Sequence, residues 1–178
     1  MDRATLYSYS NSSQSSAAAT PKMPTHSVTS LKYISNADLS KMLLDAPITK
    51  DGTVAVIDVR DSDYVGGHIL GCTNIPSGNL DWKLPELVRT LRDKEMVVFH
   101  CALSQQRGPS AALRYLRERD KALAKDNAEK KTEDSQAEEK SQKIYVLQGG
   151  FVKWQEKFGE DERLTEGYQK DIWQDNWY

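Results

Sequence analysis

The stretch VVFHCALSQQRGPSAALRYL, residues 97–116, decides how the chain is read. With Met96 before them, Val97, Val98 and Phe99 form an uninterrupted apolar run, the pattern of a strand covered on both faces. His100 and Cys101 end that run, and Arg107 stands six positions after the cysteine. Gly108, Pro109 and a helical pattern follow, with Pro109 suited to a first helical turn. This order places Cys101 at the carboxyl end of a strand, facing a helix N-terminus. Ligands of open parallel sheets sit at that edge. Helix N–H groups and the positive end of the helix dipole lower the pKa of a thiol and cradle an oxyanion. A free thiol with a pKa near 8.5 is only about 3% thiolate at neutral pH, whereas a helix N-terminus and a nearby cation lower that value to roughly 3.5–7.5. Arg107 supplies the cation, and its planar fork suits two oxygens of a phosphate-like group. Between the two, Ala102, Leu103, Ser104, Gln105 and Gln106 include no acidic side chain, so their amides can turn toward an anion unopposed.

Working outward, TVAVIDVR (53–60) is a second buried strand, and KIYVLQGGFVKW (143–154) is a strand, a glycine turn at Gly149 and Gly150, and a helix start. Between the first two strands, DWKLPELVRTLRDK (81–94) has a helical stripe of Leu84, Leu87, Val88 and Leu91. PSAALRYLRERD (109–120) continues as a helix, with Ala112, Leu113 and Leu116 predicted inside and Arg114, Arg117, Glu118 and Arg119 in water. Toward the N-terminus, Ser35 or Asn36 caps a helix carrying Leu39, Met42 and Leu43. Strands alternating with helices predict an α/β domain with a mainly parallel central sheet. DSDYVGGHILGCTNIP (61–76) reads as a loop with a short apolar piece around Ile69 to Ile75.

The chain has 178 residues, 38% hydrophobic and 28% charged, with a net charge of −2. One domain is expected, spanning 28–178 after a Ser- and Ala-rich tail, 1–27, expected to be disordered. Residues 121–142 are charged and polar, either a helix extension running into a solvated insertion or a partner-binding segment. Residues 159–178 form an aromatic C-terminal extension, which packs back on the domain or presents a binding surface. The charge balance argues against nucleic acid or a membrane surface as partner. No apolar run approaches the roughly 18 residues that span a bilayer. Two cysteines without an export signal predict free thiols in a reducing compartment, cytoplasmic or nuclear. His26, His68 and His100 have no metal-ligand spacing, so neither a metal nor another cofactor is expected.

IDVRDSDYVGGHILGCTNIP, VVFHCALSQQRGPSAA and IYVLQGGFVKW resemble the three landmarks of a rhodanese-like domain, over roughly 28–120 and 143–158. The loop resembles that of the cell division cycle 25 type of dual-specificity phosphatase and its small eukaryotic relatives, which include arsenate reductases. The resemblance implies helices on both faces of the mainly parallel sheet. It also implies a seven-residue loop, Cys101 to Arg107, of the size associated with phosphate or arsenate. Cys101 would be the nucleophile, forming a thiophosphate, with Arg107 and the amides of 102–107 on the equatorial oxygens. The implied substrate is a phosphotyrosine-like group on a phosphoprotein, or a small phosphate ester. Arsenate reduction, with glutathione as external thiol, is the second activity implied; thiosulfate sulfurtransfer and a non-catalytic binding module follow.

The chain departs from the pattern at two places. Gln106 stands where the cell-cycle phosphatases carry Glu, so no proton donor lies there, and Val59 stands where they carry a second cysteine. Asp58, Asp61 and Asp63 are the candidate acids, Asp58 being better suited to holding Arg60 or loop amides. Ser104 is a candidate for a hydrogen bond to the sulfur or for capping the loop. Cys72 is either a core residue or a redox partner. His68 is expected to tie its loop together, and His100 to order the active loop or move a proton.

Overall fold

The computed structural model describes residues 26–49, 52–129 and 142–174. The expected tail to residue 25, the middle of the charged insertion and Trp177 and Tyr178 lie outside them. In chain order the elements are β1 (Lys32–Ile34), α1 (Asn36–Asp45), β2 (Val54–Asp58), β3 (His68–Ile69), β4 (Thr73–Asn74), α2 (Leu80–Thr90), β5 (Met96–His100), α3 (Arg107–Glu129), β6 (Lys143–Leu147), α4 (Gly150–Phe158), β7 (Thr165–Glu166) and α5 (Lys170–Gln174). Five strands form one sheet in the order β1-β6-β5-β2-β4, every pair parallel.

Side chains alternate across a strand, so a strand sandwiched between helices buries every position and is largely apolar. Every residue of β2 and β5 is buried accordingly. Ala55, Ile57, Val97 and Phe99 face one layer, with Leu80, Leu84, Leu87 and Val88 of α2 and Ala111, Ala112 and Tyr115 of α3. Val54, Val56, Met96 and Val98 face the other, with Leu39 and Leu43 of α1 and Phe151 and Trp154 of α4. The expected architecture, a mainly parallel sheet with helices on both faces, is what forms.

Several details differ from the sequence reading. The stretch 61–76 contains β4, the fifth strand of the sheet, which at two residues has no periodicity to read. The inner stripe of α3 includes Tyr115, whose ring meets Phe99 at 5.3 Å and whose hydroxyl donates to Gln142 at 2.9 Å. Arg119 is half-buried rather than solvated, donating to the Gln142 carbonyl and pairing with Asp120. Helix α3 starts at Arg107 and runs on to Glu129, covering the first part of the expected insertion. Ser35 caps α1, accepting from the Asp38 amide.

The described part of the C-terminal extension returns to the domain. Strand β7 pairs antiparallel with β3, Tyr168 donates to Gln155, and Trp173 meets Phe151 at 5.5 Å while donating to the Gly66 carbonyl.

Candidate active site

Strands β2 and β5 are neighbours in register, Asp58 opposite His100, so the loops that leave their carboxyl ends meet. Cys101 is the first residue after β5 and is buried. The loop turns back on it through Ser104, the single non-glycine residue at positive φ (53°) among the described residues. That turn aims the Ser104 amide at the Cys101 sulfur, 3.2 Å away. The contact is made by the backbone; the Ser104 hydroxyl is buried without a partner, so it neither bonds the sulfur nor caps the loop. No other amide from Ala102 to Gln106 has a hydrogen-bond partner among the described residues. Their donors remain for an anion.

Two of the loop carbonyls are satisfied from behind. At the N-terminus of α4 the amides of Phe151 and Val152 donate to the carbonyls of Cys101 and Ala102, both at 2.9 Å. So close an approach needs glycine: a Cβ on Gly150 would lie 2.4 Å from the Ala102 oxygen, and its φ of 59° is a conformation L side chains disfavour. Gly108 is tight as well, with Cys101 and His100 backbone and the Ser104 hydroxyl within 3.4 Å of its Cβ position. Two helices thus fix the loop, α3 in front and α4 behind.

Arg107 opens α3, its side chain bound to the β2 loop. It donates to both carboxylate oxygens of Asp63, at 2.7 and 2.5 Å, and to Asp61 at 2.9 Å. Asp61 in turn accepts from the Ser77 hydroxyl and the Gly78 amide. Burial pushes the Asp61 pKa up, but bonds from Arg107, Ser77 and Gly78 together hold it below the ordinary value. For Asp63 the Arg107 bond dominates and lowers it. Both carboxyls are therefore ionised at neutral pH and hold no proton to donate.

Asp58, the remaining candidate acid, is fully buried and committed to Arg60. It takes the Arg60 amide at 3.0 Å and the guanidinium at 2.8 and 2.7 Å. Arg60 also donates to the Gly67 carbonyl and lies over the rings of Phe151 and Tyr64. Asp58 is a structural counter-ion, as its sequence context suggested. His100 is fully buried; desolvation lowers its pKa, outweighing the pull of Asp58. Its Nδ1 meets the Cys101 carbonyl at 3.3 Å, so the neutral ring orders the loop. His68 stands on β3, 3.2 Å from Glu166, and ties β3 to β7 rather than touching the active loop.

Cys72 packs with the core layer opposite the one that holds Cys101. Both thiols are free, and burial pushes that of Cys72 up to about 12. Of the two readings of Cys72, its packing fits that of a core residue. What sequence reasoning missed is the joining of Asp61 and Asp63 to Arg107. The available signal was topological: parallel neighbours deliver their carboxyl-end loops to one place.

A family model, the rhodanese-like domain, matches residues 40–157. The chain belongs to this family. Among its rhodanese-like relatives, the CDC25-like phosphatase YCH1 of Saccharomyces cerevisiae is 35% identical over 163 residues, covering 85% of this chain and 99% of the relative. Arsenate reductase 2.2 of Oryza sativa subsp. japonica is 36% identical over 126 residues, covering 70% of this chain and 82% of the relative. A solved structure of yeast Ygr203w, described as a protein tyrosine phosphatase of the Rhodanese family, matches with a TM-score of 0.63 and 36% identity over 83% of this chain and 99% of that one. The rhodanese-like fold of this chain is thus shared with both phosphatases and arsenate reductases.

Proposed function

We propose that the chain is a cysteine-dependent phosphatase acting on a phosphotyrosine-like or small phosphate ester. The observation that carries this reading is the loop itself: Cys101 beneath the Ser104 amide, with unpaired amides around it and Arg107 at its end. The Cys101 thiolate attacks phosphorus, forming an S–P bond as the P–O bond to the leaving group breaks. The amides and Arg107 hold the three equatorial oxygens, where transition-state charge gathers. Water then attacks the thiophosphate, releasing phosphate and restoring the thiolate.

Among the described residues, no side chain near the loop is suited to protonate the leaving group. Asp61 and Asp63 are held ionised, Asp58 is paired with Arg60, and Gln106 carries no acid. Leaving groups that depart as anions are therefore favoured. A series of aryl phosphates, assayed from pH 5 to 8 with Cys101→Ser alongside, should show turnover that vanishes in the mutant and rises steeply as the leaving-group pKa falls. Activity that survives in the mutant, or shows no leaving-group dependence, would falsify this reading.

Arsenate reduction is the second reading. Arsenate has the tetrahedral shape of phosphate, and the relatives include proteins named arsenate reductase. Cys72, on the opposite face of the sheet, does not supply a second thiol. The reductant would have to be external, glutathione being the small-thiol candidate. Arsenite release that requires added glutathione and Cys101 is the corresponding assay.

A further inference from the structure

Arginine carries five N–H donors in a fixed plane, arranged as two forks and one outer donor. In Arg107 the terminal fork, one N–H from each of Nη1 and Nη2, is taken by the two oxygens of Asp63. The outer donor of Nη1 is taken by Asp61. What remains is the side fork, Nε–H and the second N–H of Nη2, which have no partner among the described residues. These two parallel donors match one edge of a tetrahedral oxyanion. The two carboxylates thus consume the three donors that an oxyanion does not need and leave the pair that it does.

From this count we propose that Asp63, with Asp61 in support, is a positioning residue that presents the side fork of Arg107 to the oxyanion in the Cys101 loop. The proposal deepens the reading of that loop as an oxyanion site and rests on it. A free arginine side chain samples many rotamers and loses that freedom on binding. Here it is fixed before the anion arrives. Asp61 is itself fixed, by the Ser77 hydroxyl at 3.1 and 2.8 Å and by the Gly78 amide, so the clamp is anchored to the turn that leads into α2. Asp63 is tied in as well, accepting the Asp61 amide at 2.9 Å. An incoming anion need displace neither carboxylate.

The test measures binding of inorganic phosphate by titration calorimetry in a Cys101→Ser background, so that no turnover is needed. Asp63→Ala should weaken binding about tenfold or more, because the fork is no longer held. Asp63→Glu should restore most of it, since a second bidentate carboxylate can take the same terminal fork. Melting temperatures measured alongside should fall by no more than a few degrees, because the pair is partly exposed and contributes little to stability. Phosphate binding that is unchanged or tighter in Asp63→Ala overturns the proposal, since the carboxylate would then be idle or a rival of the anion. A Cys101→Ser parent that binds no phosphate, with Arg107→Ala equally inert, overturns the oxyanion reading and the clamp together.

Discussion

Cys101 and Cys72 show how differently one fold can house two copies of the same side chain. Cys101 follows β5 beneath a backbone amide, in a loop whose remaining donors meet no partner among the described residues. Cys72 sits among apolar side chains of the other core layer, where its charged form is penalised and its pKa is pushed up to about 12. Reactivity follows the thiolate. In folded Cys101→Ser protein, Cys72 should therefore react with iodoacetamide at pH 8 more than a hundredfold more slowly than in the same protein unfolded in urea. Alkylation at equal rates in both states would show that the thiol is not shielded as described.

At the scale of elements, the site depends on helix ends that meet a single loop. The approach of α4 is the most demanding contact, because two of its first amides bond the Cys101 and Ala102 carbonyls. Gly150→Ala would place a methyl group 2.4 Å from the Ala102 oxygen at a φ of 59°. It should cost about 2 kcal/mol or more, and shift the loop enough to weaken phosphate binding. Chemical denaturation gives the first quantity and calorimetry the second; a variant as stable as its parent would mean that α4 can retreat freely. Much of this was legible in advance. The runs in β2, β5 and β6 and the span from Cys101 to Arg107 announce themselves, because strands covered on both faces are largely apolar and Pro109 suits a first helical turn. The clamp on Arg107 was not legible. It joins residues 44 and 46 positions apart, and only the order of strands in the sheet brings them together. Strand β4 and the burial of Tyr115 were hidden for related reasons: the first is too short for a period, and the second depends on packing against Phe99.

For the whole molecule, the buried polar layer under the loop couples stability to pH. His100 lies fully inside, next to Asp58 and Arg60, and burial lowers its pKa. The unfolded chain binds a proton there at about pH 6.5, and the folded chain does not until the pH is lower. Stability therefore falls as the pH drops below about 6.5, with a slope of at most about 1.4 kcal/mol per pH unit from this group. Asp61 and Asp63, whose pKa values are lowered, act in a second and more acidic window. Their contribution is present above the ordinary carboxylate value of about 3.9 and is lost as the pH falls through their depressed values. Urea midpoints between pH 4 and 8 should show the first decline, and His100→Gln should flatten it; a midpoint that is level from pH 7 to 5 in the parent would contradict the assignment.

The docking of α4 on the loop also bears on how the protein is made. A ribosome delivers Cys101 and Arg107 well before Phe151 and Val152, whose amides complete the loop. Ala102 must wait for a residue 50 positions later, Val152, and for β6, which inserts between β1 and β5. Until then the growing chain contains Cys101 and Arg107 but has no finished loop around them. A nascent chain halted within the charged segment after α3 would carry the whole motif and should bind no phosphate. Competence arrives late in synthesis, when the last sheet strand and the helix behind the loop have emerged.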